Sequence, residues 1–307
     1  MRSTTIVLPY AGSYDWAAAL RFFAARAVDG VEQLDGELYR RTIHIDGHSG
    51  QLEVGHCARE HALRATVQCG AVVDEREVTT RLRRMFDLDA DLATINAHLA
   101  KERLMSRLVA ARPALRVFGG WDPFEIAMRT INGQQVSVER ARRLNGVLVT
   151  RGAARGLDDT IGSGQVFPSP SEVLDADLSG MGMPGARVAT LKAMAEAASA
   201  DPRLFATDGS LDEIVAKLRA IKGIGEWTAH YIAMRACRQP DAFPASDVGL
   251  LRGAAGENGA RPTPAALMAR AEAWRPWRAY AAHHLWNVDS TARSGVRTPA
   301  DAATVGA

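Results

Sequence analysis

The sequence predicts an α+β protein that is mostly α, with a small antiparallel sheet near the N-terminus followed by helices. Three observations predict this. β-Branched and alternating segments crowd the first 70 residues. Strand signals stop after about residue 74, where helical periodicity takes over. Capped helix starts, several with proline in the first turn, then recur along the chain.

In order, residues 4–8, 38–45, 51–56 and 62–69 read as strands, with His48-Ser49-Gly50 as the turn between the second and third. An amphipathic helix over 15–27 separates the first two strands and sets Leu20, Phe23, Ala24 and Ala27 on one face. Helices follow at 75–86, 89–111, 123–131, 137–150, 170–180, 185–199, 211–220, 226–237, 247–254, 264–274 and 276–287. Asp122-Pro123, Ser169-Pro170 and Thr263-Pro264 each put a capping side chain before a proline at the first helical position, and Ser210 caps another start. Residues 155–165 form a glycine-bearing loop, and the tail beyond 290 is small and polar.

The chain has 307 residues, a length that suggests about two domains. At 47% apolar and 23% charged it can build a real core, which excludes a disordered chain. No run of about 18 apolar residues reads as a membrane span, and the N-terminus has no signal-peptide pattern. Net charge is only +2, so any grip on nucleic acid cannot rest on a broad lysine surface; the lysines are Lys101, Lys192, Lys217 and Lys222 alone. The arginine excess has an equally plain source in genomic base composition. Cys57, Cys69 and Cys237 have neither zinc nor iron–sulfur spacing, and the expectation is a reduced, cytosolic protein.

The most informative stretch is LRAIKGIGEWTAHYIAMRAC, residues 218–237. A helix ends near Ala220, Gly223-Ile224-Gly225 makes a tight turn, and a second helix begins near Glu226. Two glycines allow positive φ and close approach of another molecule. The new helix offers unpaired N–H groups beside them, which is an anion site that needs no lysine. A bare helical corner is the alternative. On the second helix Ala229, Ile232, Ala233 and Ala236 share one face, while Trp227, Tyr231 and Met234 share the other. The second stripe faces another domain or a pocket.

GIGEWTA, with the aspartate of FPASDVGLL downstream, resembles the helix-hairpin-helix DNA glycosylases, and within them the AlkA-type DNA-3-methyladenine glycosylase II branch. The resemblance spans nearly the whole chain. It includes YDWAAALRFFAARAVDGVE, DPFEIAMRTINGQQVSVERA, FPSPSEVL, GMPGARVATL and AEAWRPWRAYAAHHLW, in family order. It implies an N-terminal α+β domain over 1–88, a helical domain over 118–238 that contains the hairpin, and a second helical domain from 89–117 and 239–290. A tail follows at 291–307, and a cleft lies between the helical domains. It places the catalytic carboxylate on Asp247 and the phosphate-binding turn on Gly223, Gly225 and Thr228. It places the base pocket on Trp227, Tyr231 and Trp286, with Phe22 reaching in from the N-terminal helix. The residue that wedges into the base stack falls on Asn132, where leucine is usual; Gln134 is a candidate contact to the flipped nucleotide. Lys222 stands where proline is usual, and Val248 where an aromatic is sometimes found. The resemblance also implies a monovalent cation, Na+ or K+, on the carbonyls of Ile221 and Ile224, and no other cofactor.

The chemistry suits those residue types. A base must leave the stack to be reached. Alkylation at a ring nitrogen makes it a cation and a good leaving group, and aromatic faces attract cations. Bond breaking builds positive charge on the sugar, which an aspartate stabilises. At 247 the plain alternative is a helix N-cap, and the two roles are compatible. Glycosylases that also cut the backbone use a lysine after the hairpin, where this chain has Trp227, so no lyase activity is expected. The expected partner is double-stranded DNA with damaged bases, bound by a monomer. Two other readings stand beside this one: a glycosylase mainly for deaminated purines, and a non-catalytic DNA-binding module.

Other conspicuous residues read as structure. His44, His48, His56 and His61 lack ligand partners; His283 and His284 are packed or solvated. Trp16, Trp121, Trp274 and Trp277 read as packing, and Arg81, Arg83 and Arg84 as a solvated face. Gln135, like Gln134, divides evenly between touching the flipped nucleotide and structural hydrogen bonding.

Overall fold

The computed structural model describes residues 2–152, 164–256 and 259–294, with side chains to 288 in the last helix. Most of the expected 155–165 loop and the tail expected over 291–307 lie largely outside the described residues.

Five antiparallel strands form the sheet: β1 (Arg2–Pro9), β2 (Glu32–Asp35), β3 (Leu38–Ile45), β4 (His48–Cys57) and β5 (Ala62–Cys69), in the order β1-β5-β4-β3-β2. The edge strand β2 was not expected. Its sequence, Glu-Gln-Leu-Asp, has one apolar residue and no alternation, as suits an edge that must not attract another chain. The β3–β4 turn is a second correction. It is Asp46-Gly47, both at positive φ (51° and 80°), the two-residue hairpin whose twist matches its strands. His48-Ser49-Gly50 is already paired strand; a Cβ on Gly50 would lie 2.6 Å from the Gln68 carbonyl.

Helix α1 (Trp16–Ala24) packs Trp16, Ala19 and Phe23 on this sheet, while Ala24 is exposed, contrary to the expected face. Helix α2 (Glu75–Phe86) adds Val78, Leu82, Met85 and Phe86 to the same core.

The remaining helices build a second core. The expected helix over 89–111 is two, α3 (Leu92–Leu99) and α4 (Arg103–Ala111), because the Glu102 carboxylate accepts from the Leu104 and Met105 N–H groups and starts a new helix there. Then come α5 (Pro123–Asn132), α6 (Val138–Gly152) and α7 (Pro170–Asp175). Helix α7 stops before the expected 180, since Lys192 Nζ donates to the carbonyls of Val173, Leu174 and Ala176 and closes its end. The order continues with α8 (Gly185–Ala200), α9 (Leu211–Arg219), α10 (Glu226–Arg235), α11 (Val248–Gly253), α12 (Pro264–Ala271) and α13 (Arg278–Ser294). Asp122, Ser169, Ser210 and Thr263 all cap as their chemistry predicts. No helix among the described residues is long and apolar enough to cross a membrane.

The two cores are joined by buried ions. Arg41 on β3 meets Glu125 on α5 at 2.7 Å, with both side chains 2% exposed. Arg129, one turn along α5, pairs with Glu125 at 3.3 Å and with Glu32 on β2. Tyr39 Oη donates to Glu32 at 2.6 Å. This network ties the β2–β3 edge of the sheet to α5.

Candidate active site

Asp247 ends the buried Phe243–Ala245 segment and opens α11. Its Oδ1 accepts from the Leu250 N–H at 3.0 Å, so the aspartate is an N-cap. The cap is only part of its coordination. Trp227 Nε1 donates to Oδ2 at 2.8 Å, and Trp286 Nε1 donates to Oδ1 at 2.8 Å. Three helices therefore converge on one half-buried carboxylate: α11 carries it, and α10 and α13 each send an indole N–H. Gly249 leaves room for this. A Cβ there would lie 3.0 Å from Asp247 Oδ1 and 3.0 Å from Trp286 Cδ1, crowding both partners.

The rings around the carboxylate form an open aromatic wall. Tyr231 stacks on Trp227 with centroids 5.3 Å apart and planes at 20°. Trp286 meets Tyr231 at 5.8 Å and 58°. Phe22 on α1 extends the wall: it lies 5.2 Å from Phe118 and 6.4 Å from His283, which in turn meets Trp286 edge-on at 5.1 Å. Asp247, Trp227, Tyr231 and Trp286 are thus in direct contact, with Phe22 one layer further. Met234, assigned by periodicity to the aromatic stripe, is buried in the helical core instead.

Two arginines were not anticipated here. Arg235 Nη1 donates to Tyr231 Oη at 3.1 Å, and Arg26 Nη1 donates to the Phe22 carbonyl at 3.2 Å. Burial alone would raise the Tyr231 phenol; Arg235 and Arg26 outweigh it and hold the group below its usual range. His283 is buried, and burial together with Arg235 and Arg26 keeps its imidazole neutral.

The hairpin between α9 and α10 lies alongside. Gly223 has φ +87°, and a Cβ on it would lie 1.9 Å from Thr190 Oγ1 on α8, so only glycine fits. Gly225 departs from the expected positive φ. It is the extended N-cap of α10 (φ −84°, ψ 175°), with no side-chain cap and open space where a Cβ would be. With no side-chain cap there, the first N–H groups of α10 are left unpaired by the helix itself, as an anion site requires.

Gln134 takes the structural of its two expected roles. Gln134 Nε2 donates to Thr228 Oγ1 at 3.0 Å and to the Gly223 carbonyl at 3.3 Å, stitching the turn after α5 to the hairpin. The Thr228 hydroxyl is therefore buried, and Thr228 faces the open side only through its main chain at the start of α10. Asn132 corrects the wedge expectation: it is fully buried, with Nδ2 donating to Asn145 Oδ1 at 2.8 Å. The helical register turns it into the α5–α6 contact. Its neighbour Gln135 is exposed, at φ +55°.

Residues 5–122 match the model of the AlkA N-terminal domain. The chain is 33% identical to DNA-3-methyladenine glycosylase 2 of Escherichia coli over 276 residues, 89% of this chain and 93% of that protein. It is 34% identical to a probable bifunctional transcriptional activator/DNA repair enzyme AlkA of Mycobacterium tuberculosis, covering 92% of this chain and 57% of that one. In fold it is similar to the 3-methyladenine DNA glycosylase of Archaeoglobus fulgidus, with a TM-score of 0.78, 20% identity, and coverage of 94% and 98% of the two chains.

Proposed function

The chain belongs to the AlkA-type DNA-3-methyladenine glycosylase II family, and on that premise we propose that Asp247 is its catalytic carboxylate and that it acts as a monofunctional glycosylase. The protein is a DNA glycosylase that releases alkylated bases, the first step of base excision repair. The observation that carries the site assignment is the pair of indole N–H groups, each 2.8 Å from one oxygen of a half-buried Asp247, beside stacked aromatic rings.

The steps follow from the geometry. A phosphate of the lesion strand docks on the first N–H groups of α10, where Gly225 leaves the approach open. The damaged nucleotide flips out, at a cost of a few kcal/mol. Its cationic base stacks on Trp227, Tyr231 and Trp286, each contact worth roughly 0.5–2 kcal/mol. As the glycosidic bond stretches, positive charge grows on the deoxyribose. Asp247, locked in orientation by both indoles, stabilises that charge and orients the attacking water. A lesion needs one such site, so a monomer suffices.

The gap left by the flipped base needs a filler. Buried Asn132 cannot supply it, and exposed Gln135, beside the hairpin, takes that role. A Gln135→Ala variant is expected to flip its target about ten-fold less efficiently, on the order of one stacked pair's cost. 2-Aminopurine fluorescence next to the lesion reads this; unchanged fluorescence would remove Gln135 from the stack.

The implied Na+ or K+ would be held by main-chain oxygens of the hairpin. The Ile221 carbonyl accepts from the Ile224 N–H at 3.1 Å and keeps a second lone pair, and such neutral donors suit a singly charged ion.

Monofunctional chemistry is supported by the position of the lysines. Trp227 stands one helical step past Glu226, while the exposed Lys222 precedes the turn. Borohydride added during turnover is expected to trap no protein–DNA adduct, and strands are expected to break only after alkali. A trapped adduct would establish a Schiff base and overturn this part of the reading.

A further inference from the structure

The pocket is polarised along α10. With a rise of about 1.5 Å per residue, Arg235 stands about 6 Å beyond Tyr231 and about 12 Å beyond Trp227, at the far end from the Asp247 contact. Its guanidinium carbon lies 4.8 Å from the Phe22 centroid and 5.6 Å from that of Tyr231. Arg26 approaches the same Phe22 ring at 4.1 Å. One aromatic ring is thus flanked by two guanidiniums.

The hydrogen-bond inventory of this end is one-sided. Arg235 donates from Nε to the Phe118 carbonyl at 2.9 Å, from Nη2 to the Gly119 carbonyl at 2.9 Å, and from Nη1 to the Tyr231 hydroxyl. Of five N–H groups, two remain. Arg26 donates to the Phe22 carbonyl and faces the same hydroxyl. Among the described residues neither guanidinium has a carboxylate partner; the groups that act on Arg26 are Tyr231, Arg235 and Arg129. Two guanidiniums so close together, on half-buried side chains with no carboxylate between them, leave this end short of negative charge. The neighbouring polar groups supply no negative charge: the Tyr231 hydroxyl already accepts from Arg235, and His283 is a neutral imidazole whose buried Nε2 has no hydrogen-bond partner.

A flipped base stacked on Trp227 and Tyr231 presents its far edge here. Purines differ at that edge: an oxo-purine offers an exocyclic oxygen, an acceptor, while adenine offers an amino group, a donor. We propose that Arg26 and Arg235 are specificity-determining residues of this pocket, and that they favour purines with an oxygen at C6 over purines with an amino group at C6. The proposal rests on the reading of this cleft as the base pocket. It deepens that reading by naming the group on the base that the closed end recognises.

The test compares 3-methylguanine with 3-methyladenine, released from one methylated duplex and separated by chromatography. The methyl group is at the same ring position in both; the bases differ at C6, and guanine also carries a 2-amino group, which hypoxanthine lacks. A hypoxanthine duplex supplies an uncharged oxo-base. Arg26→Gln is expected to lower the 3-methylguanine to 3-methyladenine ratio at least five-fold, and to lower hypoxanthine release by at least as much. Should that variant fail to fold, Arg26→Lys carries the test, because an ammonium keeps the charge but not the planar pair of N–H groups. An unchanged ratio overturns the proposal. Equal loss of both bases would make the arginines mere supports for Phe22 and also overturns it. Weaker binding of undamaged duplex, in step with release, would make a phosphate the ligand and overturns it too. A wild type that releases no base at all would contradict the glycosylase reading itself, a result distinct from these.

Discussion

Asp247→Asn is expected to lower single-turnover release of an alkylated base by about 10²- to 10⁴-fold, while affinity for the lesion duplex stays within about two-fold of wild type. The size of the loss has two sources. The amide has no charge to set against the developing sugar cation. It also misfits its partners. The Asp247 oxygens receive three N–H donors, from Trp227, Trp286 and Leu250. Asparagine has one acceptor oxygen, so in either orientation its amino group faces an indole N–H, and one tryptophan must turn away. DNA binding should survive because the α10 N-terminus does not depend on the carboxylate. A variant that retained release within a few-fold would reduce Asp247 to a helix cap.

Glu125→Gln is expected to destabilise the fold by about 3–5 kcal/mol, the cost of removing one partner from a buried ion pair. Glu125 lies between Arg41, at 2.7 Å, and Arg129, at 3.3 Å, so its loss strands two guanidiniums with only Glu32 between them. Urea unfolding by far-ultraviolet circular dichroism measures this; a loss under about 1 kcal/mol would mean that water reaches the network. The same network gives a pH dependence. Burial alone would raise the Glu32 carboxyl, but Arg129 and Arg41 hold it below the usual carboxylate range. A carboxylate with a depressed folded pKa contributes stability that is complete above its unfolded value, about 4.3. That contribution is lost as pH falls through the lower folded value. Glu32→Gln should therefore flatten the acid limb of the stability curve.

The parts of the fold written in local chemistry were legible in the sequence. Asp122, Ser169, Ser210 and Thr263 start helices because their side chains satisfy the first N–H groups, whatever the tertiary context. What long-range contacts decide was not legible. Strand β2 is polar and exists by pairing with β3, as Glu32 does with Arg41. Asp46-Gly47 makes the β3–β4 turn, as an Asp-Gly pair favours, and His48-Ser49-Gly50 is strand because it pairs with Ile45, His44 and Ile43. At the site, Asp247, Trp227, Tyr231 and Trp286 were named through the family resemblance, since 20 and 39 residues separate the carboxylate from its two indoles. Asn132 misled because a motif position does not say which way a helix faces. Arg26 and Arg235 were not legible because only the tertiary fold brings Arg26, just past the end of α1, and Arg235, on α10, to the same Phe22 ring.

The most direct test of the account is to incubate wild-type protein with duplex DNA carrying methylated purines, beside the same duplex undamaged, and to measure free base. The account predicts free methylated base from the damaged duplex only, with strand breaks that wait for alkali. Tight binding of the damaged duplex with no base released would contradict it and leave a DNA-binding protein whose carboxylate only caps a helix.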